Sequence, residues 1–229
     1  MLSMPKDPPA PRREFLERLA GGTALLAAGA FAAACAPQAA APVVAATTDD
    51  EPWLKPLAGK HKQVFDSPRV NDAFGLMFAA AYLKTMTDTY KLKPGEANAF
   101  IVFRHFGTPL GLVDDIWKKY KLGAMLGIMD PATKKPSERN FVWKPKAGDM
   151  MDTSASADQM VAMPGVVIGV CHFAVTVLSG MAAKGAGMTP EAALKEWEAG
   201  VIPGGMLVPS GALAVGRAQE HGCSYCFAG

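Results

Sequence analysis

Residues 99–103 read Ala-Phe-Ile-Val-Phe, and residues 166–171 read Val-Val-Ile-Gly-Val-Cys. Each is an unbroken apolar run of strand length, which predicts a strand buried on both faces. Such strands belong to parallel sheets covered by helices, and the intervening sequence agrees. Lys62–Phe65 is a short strand candidate. Ser67-Pro68 reads as an N-cap with proline in the first helical turn. From there to about Tyr90, Phe74, Met77, Phe78, Ala81 and Leu83 recur at helical spacing and mark the expected buried face. Lys93-Pro94-Gly95 stops that helix. Thr108-Pro109 turns into a second helix through Asp115, Trp117 and Tyr120.

Beyond Cys171 a helix runs from about Phe173 to Lys184, and Thr189-Pro190-Glu191 caps another that ends near Glu198. Gly205–Val208 makes a fourth strand, Ser210 caps a helix to about Glu220, and Ser224–Phe227 is a fifth strand. The expectation is a single α/β domain with a roughly five-stranded, mostly parallel sheet and helices on both faces. Residues 130–157 are rich in Pro, Lys, Ser and Asp and contain no credible element, as expected of a lid, an arm to a neighbouring subunit, or disorder.

The chain has 229 residues, with 23 Lys+Arg against 21 Asp+Glu. A net charge of +2 gives no case for a nucleic-acid partner. The longest charge-free run lies near the start: Leu19–Thr48 holds no charged residue and 14 alanines. Arg12-Arg13, then Phe15-Leu16, stand before it and resemble the twin-arginine signal of the bacterial Tat pathway. The run is Ala- and Gly-rich rather than Leu-rich, so a permanent transmembrane anchor is the poorer reading. Small-residue cleavage sites occur at Ala39–Ala41 and Ala45-Ala46. Phe31-Ala-Ala-Ala-Cys35 is similar to a lipobox, which would make Cys35 an acylated anchor, although Ala32 stands where Leu is usual. Residues 1–46 therefore read as a signal and the start of a linker, 47–60 as linker, and 61–229 as the domain. The expected location is the periplasm, with membrane contact only through a lipid anchor.

Residues 47–229 keep three cysteines and all four histidines. Ligands of open parallel sheets bind beyond the carboxyl ends of the strands. Arg104 and His105 end one strand there, and Cys171 and His172 end another. Cys171 also precedes a helix, whose N-terminal dipole favours a thiolate, the form that attacks and carries sulfur; the alternative is a thiol packed as a small apolar group. His105 is placed to serve as base or donor. Cys223-Ser-Tyr-Cys226 is a second thiol pair, but in a strand its two members point to opposite faces, leaving a disulfide, a redox pair or two unpaired thiols open. His221 with both cysteines would need a fourth ligand to bind a soft metal. Met150, Met151, Met160 and Met163 suit Cu(I) in principle and core packing more often. There is no CxxCH for haem and no glycine-rich phosphate loop after a strand. No metal or cofactor is expected.

Taken as ordered blocks over roughly residues 60–228, the sequence resembles the DsrE/DsrF sulfur-relay superfamily, and within it the exported members with Tat signals. The first half of the resemblance is strand–Arg104-His105-x-x-Thr108-Pro109, then Asp114-Asp115, Trp117, Lys119-Tyr120 and Gly123. The second is Val166–Cys171, Gly187-Met-Thr-Pro190, Pro203-Gly204, Val208-Pro-Ser-Gly211 and a helix ending at Gly222. The resemblance implies a YchN-like five-stranded fold and assembly as a trimer or hexamer. It also implies a persulfide on the cysteine after the third strand, here Cys171, and protein sulfur donors and acceptors. The activity that follows is that of a sulfurtransferase-type carrier, with Arg104 and His105 tuning Cys171 and with Cys223 and Cys226 secondary. A non-catalytic ligand-binding or assembly module, or a metal or redox accessory protein using the C-terminal CxxC, are the alternatives.

Overall fold

All seven residues of Ala97–Phe103 are buried because the strand they form is hydrogen-bonded on both sides and covered on both faces. The computed structural model describes residues 51–70, 73–149 and 155–229; these all belong to one unit, Ala46–Gly229. The export-signal residues Arg12, Arg13, Phe15 and Leu16, together with Cys35, Met150 and Met151, lie outside the described residues. Five strands, β1 (His61–Ser67), β2 (Ala97–Phe103), β3 (Val166–Cys171), β4 (Met206–Val208) and β5 (Ser224–Phe227), form one sheet in the order β4-β3-β2-β1-β5. Every pairing is parallel.

Among the described residues the α-helices are α1 (Phe74–Tyr90), α2 (Asp114–Lys119), α3 (Leu122–Leu126), α4 (Ala157–Val161), α5 (His172–Ala183), α6 (Pro190–Ala199) and α7 (Gly211–Glu220). Their distribution follows from the strand order. The first three crossovers step in one direction and the last steps back across the sheet to β5. Right-handed crossovers therefore put α1 to α6 on one face and α7 on the other. The core divides accordingly. Phe65, Ile101, Phe103, Ile168 and Val170 pack with Leu76, Trp117, Leu178 and Trp197 on the first face. Val64, Phe100, Val102 and Val167 pack with Ala214 and Ala218 on the second.

One ten-residue helix cannot cover that second face, and residues 51–57 complete it. Trp53, Leu54 and Leu57 are buried there. Arg217 of α7 holds Glu51 through Nε and Nη2, and the Gly59 amide donates to Asn98 Oδ1 at 2.5 Å. The composition-based boundary at 60 is thus corrected: 51–60 is part of the folded layer, since its apolar residues are spaced to cap a face that the crossover geometry leaves open.

Two local expectations for α1 also change. Ser67 does not cap it. Ser67 stays in the ladder opposite Phe103 and accepts the Arg104 amide on its carbonyl, so strand pairing overrides the local capping signal. The helix starts at Phe74, after Ala73 at φ +61°. Its buried residues are Gly75, Leu76, Ala79 and Leu83. Small residues let the helix approach the sheet: a Cβ on Gly75 would meet Ser67 Cβ at 2.8 Å. Met77, Phe78 and Ala81, expected inside, face outward, and the Phe74 and Phe78 rings stack at 5.4 Å.

Thr108-Pro109 lies inside a 3-10 helix, His105–Gly111, that precedes α2, and Trp117 Nε1 donates to Pro109 O at 2.9 Å. The described part of 130–157 is ordered rather than loose. Arg139 bridges Asp130 and Asp149, with side chains only 12%, 7% and 1% exposed. Asn140 Nδ2 donates to the Leu110 and Leu112 carbonyls, and Phe141 and Val142 enter the core. Burial pushes the Asp130 carboxyl up, but hydrogen bonds from Arg139 and from the Thr133 and Ala132 amides outweigh it and hold it at about 2. The carboxylates substitute for the regular elements that the sequence lacks there.

Candidate functional site

Cys171 is the last residue of β3 and the N-cap of α5. Its sulfur accepts the Ala174 amide of α5 at 3.4 Å and the Gly211 amide, the first of α7, at 3.1 Å. Register explains the second donor. Cys171 sits opposite Val208, so the turn from β4 into α7 passes beside it. Ser210 occupies the N-cap position of α7 as expected, yet its hydroxyl makes no capping bond; the cysteine sulfur takes that place. Two helix N-termini thus converge on one sulfur from opposite faces of the sheet. Backbone donors and aligned dipoles in this arrangement solvate an anionic sulfur without a side-chain cation.

The sulfur lies at the floor of a cavity of about 290 Å³ whose walls include Arg104, His105, Phe106, Phe173 and Val177. Cys171 itself is 5% exposed. Among the described residues, neither Arg104 nor His105 hydrogen-bonds the sulfur. Arg104 instead reaches Asp66 with Nε at 2.6 Å and Nη2 at 2.8 Å, and Tyr225 Oη donates to Asp66 Oδ2 at 2.8 Å. The Asp66 hydrogen bonds raise the Arg104 guanidinium further, outweighing the opposing effect of burial. Burial first, then Asp66, pushes the Tyr225 phenol up. The stem of Arg104 also packs on α7: a Cβ on Gly211 would meet Arg104 Cβ at 2.3 Å.

His105 is exposed at the mouth with φ +51°, and its ring lies edge-on to Phe106 at 4.2 Å. A left-handed backbone at a non-glycine residue is a costly conformation that surrounding structure must impose. Here Gly107 imposes it by crossing the end of β1, where its amide bonds the Pro68 and Arg104 carbonyls. A second depression of about 430 Å³, lined by Arg69, Arg104, His105 and Phe227, opens on the other side of His105.

The remaining thiols lie apart from this edge or face away from it. Cys223 is buried with Val64 and Trp53 on the α7 face, whereas Cys226 is half-buried against the opposite core. No disulfide joins them, and burial pushes both thiols up. His221 bonds the Leu57 carbonyl, and His172 is turned to Glu198 at 2.6 Å, so neither joins a thiol. Among the described residues no group of three metal-ligating side chains converges. Met160 is a core residue and Met163 a surface one.

Asp66, Tyr225 and the Gly211 amide complete the site, and no local sequence pattern marks the last two as site groups. Asp66 did carry a signal, because a charged residue directly after the apolar pair Val64-Phe65 in a strand needs a partner once that strand is buried. No family model, curated protein or solved structure matches this chain.

Proposed function

We propose that this is an exported, DsrE-like protein that binds or relays sulfane sulfur as a persulfide on Cys171. The observation that supports the reading is the Cys171 sulfur held by two amide donors from two helix N-termini at the floor of a cavity beyond the strand ends. In the step, the Cys171 thiolate attacks a terminal sulfur of a polysulfide, one S–S bond forms and one breaks. The shortened polysulfide leaves with the electron pair, so no external oxidant is needed. The product is Cys171–S–S⁻, and the Ala174 and Gly211 amides stay in place for the inner sulfur. Arg104 is a positioning residue, tied to Asp66 and packed on Gly211, and His105 stands at the mouth. Cys223 and Cys226 have no part in the transfer.

Export by the Tat route, release into the periplasm or retention by acylation at Cys35, and delivery to or from a protein sulfur partner belong to the same proposal, as does assembly into a trimer or hexamer. Phe173, Val177 and Met181 form an exposed apolar stripe along α5 beside the cavity, which is the face a second copy would cover. That same stripe and the low exposure of Cys171 favour a second reading, an assembly or small-ligand module in which the thiol is only packed. Incubation of the purified protein with polysulfide, followed by mass spectrometry, separates the two. An adduct of about 32 Da on the Cys171 peptide, absent from Cys171→Ser, supports relay; an unmodified Cys171 with folded protein supports the packed thiol.

A further inference from the structure

The near-neutral total charge conceals a segregated one. Residues 118–146 carry eight Lys/Arg against two acids, Asp130 and Glu138, while the rest of 51–229 carries 11 against 14. This segment spans α2 to the irregular insertion, away from the Cys171 cavity in both sequence and lining residues. Lys118, Lys135 and Lys146 surround an open depression of about 640 Å³, and no ion pair holds any of them among the described residues. The carboxylates that could neutralise them are engaged or few. Asp130 and Asp149 are both bound to Arg139, and Asp114 accepts the Asn140 amide, which leaves exposed Glu138 on the rim and exposed Asp115 on α2. Lys121, Lys134 and Lys144 are exposed in the same segment.

We propose that this face is a docking surface for an anionic phospholipid bilayer. The Arg139 network makes a fixed platform of the insertion, so the ammonium groups are displayed without an ordering step. The lysines spread over an open rim, and the buried charged pair that also lines it, Asp130 and Arg139, is already spent on itself and on Asp149, which fits many phosphates in a plane better than one enclosed anion. An apolar residue belongs to the same lip: Met129, 49% exposed, pairs with Pro136 beside Lys135. Such a side chain among lysines suits insertion at the headgroup–acyl boundary. A nucleic-acid partner fits less well, because Lys144 Nζ sits 4.5 Å over the Trp143 ring and covers the aromatic face that a base would stack on. This inference is independent of the sulfur chemistry at Cys171.

The test is vesicle co-sedimentation of the full chain with phosphatidylcholine alone or with about one third phosphatidylglycerol. Wild type is expected to bind the anionic vesicles at least about tenfold more tightly, and to release in about 0.5 M salt, where the Debye length is only a few ångströms. The Lys118→Gln/Lys135→Gln/Lys146→Gln variant should lose at least about tenfold, since each lysine near such a surface contributes roughly a severalfold gain. Met129→Ser, which leaves charge untouched, should weaken binding severalfold. Circular dichroism checks that both variants fold. Equal binding of wild type and the triple variant overturns the proposal. So does unchanged binding by Met129→Ser, or retention of soluble polyglutamate together with failure to bind anionic vesicles, which would point to an acidic protein partner.

Discussion

Adding one methyl group at Gly211 tests whether the amide donors govern Cys171. A Cβ there would stand 2.3 Å from Arg104 Cβ, an atom fixed to the backbone and unable to rotate away. Relief requires the start of α7 to withdraw by about 1 Å or more, since non-bonded carbons rest roughly 3.5–4 Å apart. The Gly211 amide, now 3.1 Å from the sulfur, would move out of hydrogen-bonding range. Loss of one hydrogen bond to a charged acceptor costs about 1.5–3 kcal/mol. About half of that loss reaches the alkylation rate, because a less stabilised thiolate is also a stronger nucleophile, so the rate should fall by roughly 3- to 10-fold. Iodoacetamide alkylation of the Cys171 peptide, followed by mass spectrometry at fixed neutral pH, reads that rate. Gly216→Ala is the matched control on the same helix, because nothing lies within 4 Å of its new Cβ; it should leave the rate unchanged and favour the helix slightly. A Gly211→Ala protein that folds normally and alkylates as fast as wild type would refute the argument.

Arg139→Met should destabilise the fold by about 3–5 kcal/mol in urea titrations, because it leaves Asp130 and Asp149 buried without their cation. The acid dependence has a definite sign. The folded-state carboxyl of Asp130 is depressed to about 2. Its stabilisation is therefore complete above the unfolded value near 4 and lost as pH falls toward about 2, so the gap between wild type and Arg139→Met should narrow over that range. Leu57→Ala should cost about 2–5 kcal/mol in the same assay, whereas a residue in a flexible linker would cost almost nothing. Thiol titration in denaturant should count the same number of thiols with and without prior reductant, since Cys223 and Cys226 occupy opposite faces of the sheet; a gain of two on reduction would contradict this.

The strands were legible in the sequence because burial on both faces leaves an uninterrupted apolar run, as in Ala99–Phe103 and Val166–Cys171. Strand direction then followed from the helices between them, and placed Arg104, His105 and Cys171 at one edge. The phase of α1 was not legible. Its contact with the sheet uses Gly75 and Ala79 for close approach, and a hydropathy pattern favours Phe74, Met77 and Phe78 instead. Ser67 shows the same limit: a local capping signal carries about a kilocalorie, and a paired strand end outweighs it.

Local periodicity and chain order thus account for the α/β class, the number of strands, and the arrival of Arg104, His105 and Cys171 at the carboxyl edge. Only the tertiary structure decided what surrounds the sulfur. The Gly211 amide comes from 40 residues away through the β3–β4 register. Asp66 and Tyr225 meet Arg104 from two other strands, and residues 51–57 join the core because the returning crossover leaves one sheet face thinly covered. Those are long-range juxtapositions set by which strand lies beside which, a property that no window of neighbouring residues encodes.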